Sequence, residues 1–264
     1  MISAALLDSV LAIAQDAGHA ILTVYNTDFT VDTKADDSPL TQADLAAHRI
    51  IVQGLRALDD QIPVLSEEGS DADHQDRRAW SRFWLVDPLD GTKEFVNRNG
   101  EFTVNIALIE DGVPTLGVVH APALGTSYLA AQGIGAFRDD ADGRRAIHTR
   151  SAPEQPAFVV SRSHRDEALA ALLQRLPPHE AVSTGSSLKF CLVAEGTADL
   201  YPRTGPTSEW DTGAGQCVAE VAGARVATLP DMQPMRYNAR DTLLNPGFVV
   251  IGDRNAHWVP VLQQ

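Results

Sequence analysis

Residues 83–95 read Phe83-Trp84-Leu85-Val86-Asp87-Pro88-Leu89-Asp90-Gly91-Thr92-Lys93-Glu94-Phe95, and no other stretch restricts the fold as much. Four consecutive apolar side chains predict a buried strand. Pro88 has no N–H to give a ladder, so the strand is expected to stop there, with Asp87 and Asp90 at the mouth of a tight turn. Carboxylates held this close repel, and each pKa rises unless a cation neutralises them. Hard oxygen ligands so arranged suit Mg²⁺. The same residues also describe a strand entering an Asp-Gly hairpin turn with its acids in water, and both readings stand at this point.

Composition narrows the function classes. A chain of 264 residues, 44% hydrophobic and 21% charged, can bury a substantial core as one large domain or two smaller ones sharing a sheet. Its net charge of −14 offers no basic footprint for a nucleic-acid polymer. A small phosphorylated ligand stays open, because a metal can carry positive charge locally. Cys191 and Cys217 fit neither a disulfide framework nor a zinc site, which points to buried thiols in a reducing, cytoplasmic compartment. Residues 1–18 lack a basic start and carry Asp8 and Asp16, so neither a signal peptide nor a transmembrane segment is expected there.

Taken in order, apolar residues at threes and fours predict a helix from Ile2 to Val24. Residues 29–34 read as a short strand, and Thr41 with Asp44 as the capped start of a second helix ending near Leu58. Strands are predicted over 62–65, 102–109, 115–120 and 127–131, with Asp111-Gly112 as a hairpin turn and 138–145 as a surface turn. The proline-bearing stretch 150–156 marks a boundary between subdomains 1–152 and 153–264. Beyond it, strands at 158–161, 181–183, 198–201 and 248–251 alternate with helices over 166–176, 186–194 and 211–221. That alternation suggests a parallel or mixed sheet covered on both faces, an α/β architecture.

Glu67, Asp87, Asp90 and Asp211 each fall where an apolar element meets a turn or a helix start. Singly, Asp211 reads equally as a helix N-cap, Glu67 as a solvated strand-end acid, and Thr92 as an N-cap. Their joint occurrence is what points to a site. The triple Ser66-Glu67-Glu68, the run Trp84 to Thr92, and Glu209-Trp210-Asp211 together resemble the signatures of the inositol monophosphatase superfamily of Mg²⁺-dependent, lithium-sensitive phosphatases. Within it, Lys93-Glu94-Phe95, residues 99–109, Ser161-Arg162-Ser163-His164 and residues 185–207 are similar to the 3′(2′),5′-bisphosphate nucleotidases of the CysQ type. Inositol phosphatases typically have Gly-Thr-Thr-Asn where this chain has Gly91-Thr92-Lys93-Glu94.

The resemblance implies a layered α/β sandwich of alternating helices and sheets, and two Mg²⁺ ions per site, with a third left open. It gives one ion to Glu67, Asp87 and the Leu89 carbonyl, and another to Asp87, Asp90 and Asp211. Thr92, oriented by Asp44, is implied to accept the proton of the attacking water with help from Glu67. The Gly91 and Thr92 amides are implied to cradle the phosphate. Lys189, Arg203, Arg162 and His164 are the cations available for a second phosphate, though each alone reads as well as a surface ion pair. Glu209 is implied to touch the ribose, and Glu68 to support the site from behind.

The expected activity is hydrolysis of adenosine 3′,5′-bisphosphate to AMP and phosphate, extending to its sulfated analogue, in sulfur assimilation. Inositol monophosphate or a sugar phosphate is the alternative substrate, and a non-catalytic nucleotide sensor the alternative class. A peripheral place on the cytoplasmic face of the inner membrane stays open, and so does the oligomeric state, because superfamily members differ.

Overall fold

The computed structural model describes residues 2–27, 39–70, 75–160 and 167–263. Arg162, His164 and the short strand expected over 29–34 lie outside the described residues. Helix α1 (Ala4–Tyr25) buries Leu7, Val10, Leu11, Ala14, Ala17 and Ile21 on one stripe. The Ser3 hydroxyl caps it, accepting the Leu6 N–H at 3.1 Å. By length and composition α1 could cross a bilayer; here its apolar face is buried against a sheet. Helix α2 (Pro39–Leu58) lies alongside, and it begins two residues before the expected Thr41 cap.

The first sheet holds seven strands in sequence order: β1 (Val64–Ser66), β2 (Arg82–Asp90), β3 (Thr103–Glu110), β4 (Val113–Ala121), β5 (Thr126–Ala131), β6 (Gly135–Asp140) and β7 (Gly143–Ala146). Only β1–β2 is a parallel pair. The β3–β4 hairpin turns at Asp111 and Gly112, with φ of 49° and 75°, the left-handed pair that matches strand twist. Residues 138–145, expected as a surface turn, belong instead to the β6–β7 hairpin. The second sheet is mixed: β8 (Ala157–Val159), β9 (Glu180–Val182), β10 (Leu200–Arg203), β11 (Arg225–Thr228) and β12 (Phe248–Ile251), in the order β11-β12-β10-β8-β9. Strand β11 has no counterpart in the sequence reading. Nor does β12 close the chain, since a 3₁₀ turn at Val259–Gln263 follows it.

Period-two alternation explains the layers. Along β2, Trp84 and Val86 face α1 and α2, while Phe83 and Leu85 face a middle layer built on α5 (Leu188–Ala194) and α6 (Gly213–Val221). Along β12, Phe248 and Val250 face that same layer; Val249 and Ile251 face the outer layer with Leu172 of α4 (Glu167–Arg175), Trp258 and Leu262. The result is helices, sheet, helices, sheet, helices, the alternation the sequence resemblance implied. Helix α6 sits so close to β4 that a Cβ at Gly117 would lie 2.5 Å from the Ala214 carbonyl oxygen, so only glycine permits this contact.

Strand β2 does not stop at Pro88. It runs to Asp90, and its pairing with β3 shifts register between Asp87 and Asp90. This irregularity accommodates the missing proline donor without ending the strand.

Candidate active site

The β2 irregularity is where the acids converge. It sends Asp87 and Asp90 to the same end of the sheet, and the turn before α6 brings Asp211 to meet them. Oxygen atoms of Asp87, Asp90 and Asp211 lie within 4.8 Å of one another. One oxygen of each is tied by the chain: Asp87 Oδ1 accepts the Leu89 N–H at 3.0 Å, Asp90 Oδ2 the Ser186 hydroxyl at 2.5 Å, and Asp211 Oδ2 the Ser208 N–H at 2.8 Å. That bond orients the second oxygen of each. Asp211 is not the cap of α6, because Thr212 holds the N-cap position. Thr92 is likewise the first residue of the short helix α3 (Thr92–Val96), whose N-cap is Gly91 at φ 91°.

The electrostatics are those of buried carboxylates crowded against one another. Burial raises the Asp87 carboxyl well above the usual range, and the charges of Asp90, Glu67, Asp211 and Asp44 add to it. Asp211 rises for the same reasons, burial first and then Asp90. Glu67 is raised by burial, then by Asp90 and Glu68, so it stands within electrostatic reach of the cluster from the end of β1. Among the described residues, no lysine or arginine forms an ion pair with Asp87, Asp90 or Asp211. Asp44 Oδ1 is buried with no hydrogen-bond partner. Hard oxygens held together against their mutual repulsion fit a divalent cation.

Asp44 and Thr92 are carried by neighbouring helices, α2 and α3. The expected Asp44–Thr92 hydrogen bond is absent among the described residues. Asp44 meets the Glu68 and Glu67 carboxyls instead, and burial followed by those charges raises its pKa. Of these two charges on Asp44, Glu68 has the larger effect.

A cavity of about 300 Å³ opens beside the acids, with Asp90, Gly91, Thr92 and Asp211 on one wall and Lys189 and Arg203 among its other lining residues. Lys189 is 8% exposed, and its ammonium donates to the Ser186 carbonyl at 2.8 Å. Burial lowers its pKa while Asp90 opposes the shift. Arg203 is held by the carbonyls of Gly205 and Pro206 at 3.2 and 3.1 Å. Glu209 departs from its expected place. It is fully buried and absent from the cavity lining, where it accepts the Asn238 N–H at 2.8 Å and lies 3.5 Å from Arg240. A carboxylate in that position braces the turn before Asp211.

Four residues without an assigned role in the sequence reading also meet here. The Ser187 hydroxyl donates to the Asp211 carbonyl at 2.6 Å and accepts from the Asn105 amide at 3.0 Å. Thr103 lies 3.0 Å from the Asn105 carbonyl oxygen and 2.5 Å from the Ser186 hydroxyl. Two signals were available: Asn105 is a lone amide inside an apolar strand, and Ser186-Ser187 precedes a helix.

The sequence pattern of the inositol monophosphatase family matches residues 5–257. Over 247 residues the chain is 53% identical to the 3′(2′),5′-bisphosphate nucleotidase CysQ of Escherichia coli (strain K12), covering 93% of this chain and 99% of that protein. It is 38% identical over 262 residues to the protein of the same name from Haemophilus influenzae, covering 98% and 97%. Among solved structures, CysQ from Bacteroides thetaiotaomicron, a bacterial member of the inositol monophosphatase family, superposes with a TM-score of 0.85 at 41% identity, covering 94% of this chain and 97% of that one. An inositol monophosphatase from Zymomonas mobilis shares the fold, with a TM-score of 0.81 at 23% identity and coverage of 99% and 98%. With the layered fold, the signature acids and these relatives in agreement, the chain belongs to the inositol monophosphatase family.

Proposed function

We propose that this chain is a Mg²⁺-dependent 3′(2′),5′-bisphosphate nucleotidase that hydrolyses adenosine 3′,5′-bisphosphate to AMP and phosphate, and its sulfated analogue to adenylyl sulfate. The observation that carries the reading is the cavity. It sets an acid cluster and two cations, Lys189 and Arg203, around one space. A substrate with two phosphates needs both kinds of wall.

In this reading Glu67, Asp87 and the Leu89 carbonyl would hold one Mg²⁺, and Asp87, Asp90 and Asp211 a second. When bound, the ions supply Lewis acidity toward the phosphoryl oxygens and acidify water. The Gly91 and Thr92 amides orient the scissile phosphate. Asp44 and Thr92, on the neighbouring helices α2 and α3, are the pair that would take up the proton shed by the attacking water once a hydrogen bond forms between them, with Glu67 beside them. Lys189 and Arg203 hold the remote phosphate as charge-assisted donors. The halves 1–152 and 153–264 act as two subdomains, the first supplying Glu67, Asp87 and Asp90, the second Asp211 and the cavity cations. Two free buried thiols, Cys191 and Cys217, suit a cytoplasmic location.

Phosphate release from adenosine 3′,5′-bisphosphate, 3′-AMP, inositol 1-phosphate and fructose 1,6-bisphosphate tests the assignment. The bisphosphate nucleotide is expected to have the highest kcat/KM. Arg203→Ala should raise its KM by about 10- to 100-fold, the weight of a charged hydrogen bond, and leave 3′-AMP nearly unchanged. Preference for inositol 1-phosphate would overturn the substrate.

A further inference from the structure

Ser187 stands at the N-cap of α5, yet its side chain makes no capping bond to that helix. It is 2% exposed and spends its hydroxyl elsewhere. A serine hydroxyl has a single proton. At 2.6 Å that proton belongs to the Asp211 carbonyl; the same oxygen lies 3.2 Å from Asp90 Oδ2. The Asn105 amide donates to Ser187 Oγ at 3.0 Å, which occupies a lone pair and turns the proton away from β3, toward the acids.

Asn105 is in turn fixed by the sheet. It is 1% exposed, directly across β3 from Asp87, and Thr103 is directly across from Asp90. Directly opposed residues share a face of the sheet, so β3 presents its amide and hydroxyl on the side where β2 presents its acids. Asp90 ends a strand of the first sheet, whereas Asp211 precedes a helix in the middle layer, 121 positions later in the chain. Two ligands from separate elements keep a fixed spacing only if something rigid joins them. Ser187 touches both.

We propose that Ser187 and Asn105 are positioning residues for the cation bound by Asp87, Asp90 and Asp211. Asn105 orients the Ser187 hydroxyl, and Ser187 locks the Asp211 backbone beside the Asp90 carboxylate. The inference rests on the metal-dependent reading above, and its roles are distinct from those of Lys189 and Arg203. Groups that orient metal ligands affect affinity by about 10- to 100-fold when removed.

The test is Mn²⁺ binding to the full chain, read without substrate from the loss of the free-ion electron paramagnetic resonance signal, for wild type, Ser187→Ala, Asn105→Ala and the double variant. Each single variant is expected to weaken Mn²⁺ by about tenfold or more. The double variant should be no weaker than the worse single one, because both break the same chain. In turnover, the Mg²⁺ needed for half-maximal rate should rise while KM for the nucleotide at saturating Mg²⁺ stays within twofold. Unchanged Mn²⁺ affinity in folded Ser187→Ala, or strictly additive losses, would overturn the proposal. If Asn105→Ala fails to fold, Ser187→Ala alone decides. Wild type that binds Mn²⁺ but ignores the bisphosphate would overturn the substrate reading and leave this one standing.

Discussion

Asp87 and Asp199 are equally buried, each 1% exposed, but their surroundings are opposite. Asp199 is gripped by the Arg150 guanidinium through two bonds of 2.8 Å and by the Ala157 N–H at 2.7 Å. It ties β10 to β8 and leaves no oxygen unsatisfied. Asp87 has one backbone donor and, around it, other acids. A buried charge with a hydrogen-bonded partner is tolerable, and one facing like charges costs several kcal/mol. The chain therefore knows how to neutralise a buried carboxylate and withholds that arrangement at the end of β2. The cavity beside the cluster differs again, since Lys189 and Arg203 line it and, among the described residues, form no ion pair with the acids.

The sharpest way to break this contrast is Asp90→Asn. Loss of a cation ligand should lower kcat/KM on the bisphosphate by about a thousandfold or more, roughly 4 kcal/mol, measured by steady-state phosphate release. The same variant in chelator should melt higher than wild type, because one repelling charge is gone; a lower melting temperature would contradict the account of the cluster. Asp199→Ala makes the converse cut. It should destabilise the protein by about 3 kcal/mol in urea unfolding, while Mn²⁺ affinity of the folded protein stays within twofold.

A smaller effect tests the crowding of the cluster by pH. Asp211 is raised from 3.8 to about 7 by burial and Asp90. A raised carboxyl gives stability that is full below its unfolded pKa and is lost as pH climbs through the folded value. In chelator the melting temperature should thus fall between about pH 4 and pH 7. Saturating Mg²⁺ should restore it, with a gain of about 2 kcal/mol near pH 8 that shrinks toward pH 5. Equal gains at every pH would mean that the ion does not relieve this repulsion.

Much of the site was legible because its acids sit at junctions. Phe83 to Val86 had to be a strand covered on both faces, and whatever followed had to emerge at its end. Asp211 stood out for the same reason. The partners of those acids were not legible. Asp44 was expected to meet Thr92 and meets Glu68 and Glu67; Glu209 was expected at the ribose and faces Asn238 and Arg240. Both differences concern side-chain direction, which a neighbour distant in sequence decides. Asn105 was written inside an apolar strand as plainly as any acid, but its meaning depended on Ser187.

By itself, then, the sequence determined which segments are buried strands and helices, because apolar periodicity follows from local geometry alone. It also determined that several acids would crowd one end of a sheet. Only the tertiary structure decided that β2 would continue past Pro88 through a shift in register, and that the turn before α6 would deliver Asp211 to it. It alone set a serine between the two. A register shift and a hydrogen bond across layers depend on how separate elements pack, and no single stretch of chain carries that information.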